Sequence, residues 1–183
     1  MRELSLHVLD LLENAVEAGA TRITLTIEED TAADRLTIRV EDNGKGMPPE
    51  LAARVLDPFV TTRQTRHVGL GLPLVAAAAE RAGGRLEVHS RPGAGTVVTA
   101  TFGLRHWDRA PLGDLPASLL AVLLAQPPVE LVYEHRVDGR VFRCDTRELR
   151  QELGDLPLTH PRVRSWLREY LEEGIAGLER PAP

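Results

Sequence analysis

Asp42-Asn43-Gly44-Lys45-Gly46-Met47 interrupts an alternating run, Leu36-Thr37-Ile38-Arg39-Val40-Glu41, and that interruption decides how the chain is read. The run predicts a half-buried strand, and a similar one precedes it at Ile23-Thr24-Leu25-Thr26-Ile27. A carboxylate where a strand ends, followed by glycines that let the backbone turn sharply, is placed to face a ligand at the end of a sheet. Upstream, Leu4, Val8, Leu11 and Ala15 recur at helical spacing, with Leu9, Leu12 and Val16 widening the stripe, so a helix is expected over residues 4–18. His7, Asp10 and Asn14 fall on a different face. Asp10 and Asn14 are four residues apart, stack on that face and can address one ligand. Downstream, Pro48 opens a helix expected to run to about residue 56. Val68-Gly69-Leu70-Gly71-Leu72 leads into another that ends near Gly83-Gly84. Strands near 85–90 and 96–102 are joined by Arg91-Pro92-Gly93-Ala94-Gly95.

The order helix, two strands, two helices, two strands reads as one sheet backed by helices, an α+β two-layer sandwich within the α/β class. Residues 105–116 carry prolines and a glycine and read as a linker. A small C-terminal α+β unit, 117–183, is expected after it. Its elements are a helix near 117–125, strands at about 129–136 and 140–144 joined by Asp138-Gly139 as a tight hairpin, and a helix capped by Asp145 with Glu148. A last helix carries Val163, Trp166, Leu167, Tyr170 and Leu171 on one side, a stripe that a unit this small needs for its own packing.

Composition narrows the function. The 183 residues include 43% hydrophobic and 27% charged positions with a net charge of -5, enough for one good core and a small second one. That charge gives no electrostatic footprint for a phosphate backbone, so no nucleic-acid partner is expected. Cys144 is the single cysteine and cannot form an internal disulfide. No apolar run approaches the roughly 20 residues of a membrane span, and His7 and Asp10 break any leader-like stretch at the start. A cytoplasmic protein with no membrane contact is expected.

Taken together, the Leu11-Leu12-Glu13-Asn14-Ala15 segment, the Asp42–Met47 box, the Val68–Leu72 box and Gly93-Ala94-Gly95-Thr96 resemble, in order and spacing, the GHKL superfamily. This is the ATP-binding fold shared by DNA gyrase, the heat-shock chaperone, histidine kinases and mismatch-repair ATPases. The resemblance covers roughly residues 3–103 and implies an ATP-binding domain over 1–104. It implies that Asn14 coordinates the Mg2+ bridging the phosphates, that Asp42 accepts the exocyclic amino hydrogen of adenine, and that Thr96 supports Asp42 through water, with Thr99 as the substitute. Gly44, Gly46 and Met47 line the base, while Gly69, Leu70, Gly71 and Leu72 hold phosphate. Asp57-Pro58-Phe59-Val60-Thr61-Thr62-Arg63 looks like the phenylalanine box of histidine kinases, with Phe59 as a lid anchor, Thr62 beside it and Arg63 as a phosphate contact. Neither a Rossmann fingerprint nor a P-loop fits these glycines.

Residue 10 points to the reaction. The matching position is usually Asn in histidine kinases, but usually Glu, a general base, in gyrase-like ATPases and anti-sigma-factor serine kinases. Water or a hydroxyl needs a proton acceptor as it attacks the terminal phosphate, and a neutral imidazole does not. Asp10 therefore favours slow ATP hydrolysis or phosphorylation of a protein serine or threonine, with His7, one turn earlier, orienting its carboxylate. Two alternatives stay open: a detached histidine-kinase catalytic domain acting on a partner's histidine, and a non-catalytic nucleotide-sensing interaction module. The first helix begins at residue 4, so no phosphoacceptor hairpin is expected ahead of it. ATP and Mg2+ are the expected cofactors and an unidentified protein is the partner or substrate, with a homodimer also open.

Overall fold

The computed structural model describes residues 3–57 and 71–179. Helix α1, Leu4–Glu17, precedes a hairpin of β1, Arg22–Asp30, and β2, Arg35–Asp42. A short α2, Pro49–Ala52, is followed by α3, Gly71–Arg81, and by β3, Arg85–Arg91, and β4, Gly95–Gly103. The remaining elements are α4, Leu115–Leu123; β5, Glu130–Val137; β6, Arg140–Asp145; α5, Thr146–Leu153; and α6, Pro161–Glu179. The mixed α/β architecture expected from the alternation and helical stripes is the one found. Helix α2 is shorter than expected from Pro48: it buries no side chain, Leu56 is exposed, and the chain continues through three-residue turns such as Asp57 N–H to the Arg54 carbonyl. A helix with no buried face has little to sustain it.

One sheet, in the order β3-β4-β2-β1-β5-β6, collects all six strands. All neighbours run antiparallel except β1 and β5. The register lines up inward-facing rows across the strands. Val88, Val98, Val40, Leu25, Tyr133 and Cys144 form one row, and Leu86, Ala100, Ile38, Ile27, His135 and Phe142 form the next. Helix α1 lies on this face with Leu4, Val8, Leu11, Leu12 and Ala15 buried, joined by Val75 and Ala79 of α3 and Leu119 of α4. Each large aliphatic residue so buried contributes about 1.5–3 kcal/mol relative to exposure.

The C-terminal residues share this sheet and core. Strand β5 pairs with β1 from Arg22↔Glu130 to Glu29↔Val137. The Asp138-Gly139 hairpin forms with both residues at positive φ, as a tight two-residue connection requires. The 105–116 stretch is fastened to the start of α1: the amides of Leu4 and Ser5 donate to the carbonyls of Pro111 and Leu112 at 2.9 and 2.7 Å, and Ser118 Oγ donates to the Ser5 carbonyl at 2.8 Å. The first two satisfy helix-start donors that have no partner within the helix, and the third ties α4 to α1. In α6, Val163, Leu167 and Leu171 are buried, whereas Trp166 is 40% exposed and stacks on Tyr170. Among the described residues no helix is long and apolar enough to cross a membrane.

Candidate functional site

The row above the apolar ones is polar. Ser90 on β3, Thr96 on β4 and Asp42 on β2 are register partners, followed by Ile23 and Leu131. Three neighbouring strands thus end their buried faces in a hydroxyl, a hydroxyl and a carboxylate. Asp42 Oδ1 accepts from the Gly44 amide at 2.8 Å. Burial raises the Asp42 pKa above the ordinary carboxylate value, while the amides of Gly44 and Thr96 act in the opposite sense. Such an acceptor is held ready for a donor from outside.

The loop after Asp42 is anchored on both sides. Asn43 Oδ1 accepts from the amides of Thr21 and Arg22, both at 2.9 Å, and its Nδ2 donates to Thr21 Oγ1. The Lys45 amide donates to the Ala18 carbonyl at 2.9 Å, and the Lys45 carbonyl accepts from Gly93 at 2.7 Å. Gly46 has φ +66°, and a Cβ there would stand 1.9 Å from the Arg91 carbonyl oxygen. Gly95, φ +82°, faces the Asp42 carbonyl equally closely. Only glycine permits both the conformation and the approach. Met47 enters through its amide, which donates to Ser90 Oγ at 2.9 Å.

Helix α1 supplies the wall. A Cβ on Gly44 would meet the Ala18 carbonyl oxygen at 2.8 Å, while a Cβ on Gly71 would meet Asn14 Nδ2 at 3.4 Å and Asp10 Cβ at 3.5 Å. Asp10, Asn14 and Ala18 follow one another at i+4 and cover about 12 Å of helix. One end of this stripe touches the Asp42 loop and the other the beginning of α3. Both Asp10 and Asn14 are half-buried. Leu72, the second residue of α3, packs against the core. Phe59, Thr62, Arg63, Gly69 and Leu70 lie outside the described residues.

His7 is buried with Leu4, Val8 and Leu11 rather than sharing the half-buried face of Asp10 and Asn14 where the sequence pattern puts it. It is 4% exposed, its Nδ1 has no hydrogen-bond partner among the described residues, and burial, assisted by the Arg81 guanidinium, lowers its pKa to about 4. The ring is neutral at pH 7. Thr99 pairs with Arg39 on the opposite face from Asp42, whereas Thr96 shares the Asp42 row, so position decides between the two threonines. Ser90 is the site residue that sequence reading missed. Its only signal is that it stands, like Leu86 and Val88, on the inward alternation of β3, where a serine is out of place.

Residues 2–106, more than half of the chain, match the family described as histidine kinase-, DNA gyrase B-, and HSP90-like ATPase, and the chain belongs to that family. It is an ATP-binding module of this kind. Curated relatives include the sensor protein kinase FleS of Pseudomonas aeruginosa, 45% identical over 97 residues that cover 53% of this chain and 24% of the relative. The sensor histidine kinase ZraS of Salmonella typhi is 37% identical over 93 residues, 50% of this chain and 20% of its own. A putative sensor histidine kinase, NtrY-like, of Rickettsia bellii is 33% identical over 99 residues, covering 53% and 16% respectively. The chain thus spans less than a quarter of the length of each of these relatives.

Proposed function

We propose that this protein is a magnesium-dependent, ATP-binding regulator that hydrolyses ATP slowly or phosphorylates a serine or threonine of a protein partner. The α1 stripe carries the reading: Ala18 touches the loop of the base-facing carboxylate, and Asp10 and Asn14 touch the residue that begins α3. A nucleotide lying along the stripe would set its base at Asp42 and its phosphates at the N-terminus of α3. Among the described residues no group of three or more His, Cys, Asp or Glu could hold a metal alone. One neutral oxygen from Asn14 suits a magnesium ion that arrives with the phosphates and keeps its waters. The ion would neutralise charge on the phosphates.

Asp10 is the group assigned to accept the proton of an attacking water or hydroxyl. His7, neutral and one turn away, is assigned to orient it. Arg63, Thr62, Phe59, Gly69 and Leu70 are assigned to the phosphate lid on the strength of their resemblance to the family's boxes. An acidic chain whose lone cysteine is buried fits the cytoplasm.

A second reading draws on the relatives, which are named as sensor histidine kinases. On it, the module transfers phosphate to a partner's histidine. Incubation with radiolabelled ATP and magnesium, alone and with candidate partners, separates the two. Released phosphate or an acid-stable phosphoprotein supports the first, and an acid-labile phosphoprotein supports the second. ATP binding without turnover would leave a nucleotide-sensing module.

A further inference from the structure

Two hydroxyls of the site row, those of Ser90 and Thr96, share a hydrogen bond, and the backbone amide of Thr96 reaches the Asp42 carboxylate. Ser90 Oγ accepts from the Met47 amide at 2.9 Å and donates to the Gly95 carbonyl at 3.1 Å, which uses its only proton. With that proton given to Gly95, the 2.8 Å contact between Ser90 Oγ and Thr96 Oγ1, in which either hydroxyl could be the donor, takes its proton from Thr96. The Thr96 hydroxyl is left with lone pairs and no free proton. Its register partner on the other side is Asp42, which when ionised is also an acceptor alone.

We propose that Ser90 is a specificity-determining positioning residue: by taking the Thr96 proton it makes the base end of the site an all-acceptor surface, which admits a 6-aminopurine and rejects a 6-oxopurine. The inference rests on the adenine reading of Asp42. An amino group at position 6 offers two hydrogens to two acceptors. A carbonyl there offers lone pairs and would be buried against lone pairs, the arrangement that costs most when a polar group is desolvated. Without Ser90, Thr96 keeps its proton and can turn it toward a carbonyl.

The test compares ATP with inosine triphosphate, whose base has a 6-oxo group and a proton on N1. Calorimetry with magnesium is run on the wild type, Ser90→Ala and Ser90→Thr. Wild type should favour ATP. Ser90→Ala should lower the ATP-to-ITP affinity ratio by about threefold to tenfold, the value of one hydrogen bond, and do so chiefly by binding ITP more tightly. Ser90→Thr should restore the wild-type ratio, since it returns a hydroxyl. A residue that merely props up Met47 would weaken both nucleotides together when removed, so an unchanged ratio overturns the inference. If Ser90→Ala does not fold, Ser90→Cys keeps the size with a weak hydrogen-bonding group and carries the same expectation. Failure of the underlying adenine reading looks different: the wild type then binds neither nucleotide, or binds both equally.

Discussion

Gly71, the first residue of α3, lies against the side-chain amide of Asn14, with 3.4 Å between Asn14 Nδ2 and the place a Cβ would occupy. Two residues 57 positions apart in the chain therefore meet at the start of a helix. If Asn14 holds magnesium at that junction, Asn14→Ala should weaken ATP binding strongly with magnesium and little in EDTA. An equal loss in both buffers would show a packing defect instead.

Asp10 faces the same glycine, its Cβ 3.5 Å from where a Gly71 Cβ would stand, and on the proposed reading it carries the choice of acceptor. Asp10→Asn should keep nucleotide affinity within a few fold while lowering turnover by roughly 10²–10⁴-fold, and His7→Ala should lower it less. Unchanged hydrolysis in Asp10→Asn sinks the general-base role. Undiminished transfer to a partner histidine by that variant would put the histidine-kinase reading first.

At the other end of the site, burial raises the Asp42 pKa above the ordinary carboxylate value. Its raised pKa means that the charged form destabilises the fold at neutral pH, a penalty that disappears as pH falls through the folded value. Asp42→Asn should therefore leave the melting temperature of the nucleotide-free protein unchanged or higher, yet abolish the stabilisation by ATP and the preference over GTP. Normal ATP binding by the variant would remove Asp42 from the base site.

His7 gives the protein an acid-sensitive core. Its folded pKa of about 4 lies below the unfolded value of 6.5, so the folded state binds fewer protons. The corresponding stability is present above pH 6.5 and is lost progressively as pH falls toward 4, a change on the order of 3 kcal/mol. Denaturant titrations between pH 7 and 4 should show that decline in the wild type and a shallower one in His7→Gln. Parallel pH profiles would refute it.

The 1–104 fragment retains the three polar residues of the site row and the α1 stripe. Removing β5 bares the edge of β1, and removing α4 uncovers α1. We expect the fragment to bind ATP, to melt at lower temperature than the full chain and to self-associate through the bare edge. A fragment that is insoluble or does not bind nucleotide would make residues 115–179 part of the nucleotide-binding fold rather than an appendage.

Much of this was legible in local pattern. The alternation in 23–27 and 36–41, the stripe in 4–18 and the turn glycines correspond to structure at those positions because each reports a local backbone preference. Helix α2 was overread, since Pro48 marks a start and says nothing about whether a buried face follows. Residues 105–116 read as a linker from their prolines and glycine, but α4 already begins at Leu115 with Pro116 in its first turn, and composition is silent about the carbonyls that Pro111 and Leu112 lend to α1.

By itself, then, the sequence determined the kinds of element and the family, and it singled out the candidate side chains: a carboxylate after a strand, an amide and a carboxylate one turn apart on a helix, and glycines where the backbone crowds. Tertiary structure alone decided that Ser90 stands beside Thr96 and Asp42, that Thr99 faces away, and that β5 joins the same sheet by pairing parallel to β1. These are matters of strand register and of pairing over about a hundred residues. A one-residue slip would send every side chain of a strand to the opposite face, and what prevents it is the burial of the whole inner face at once.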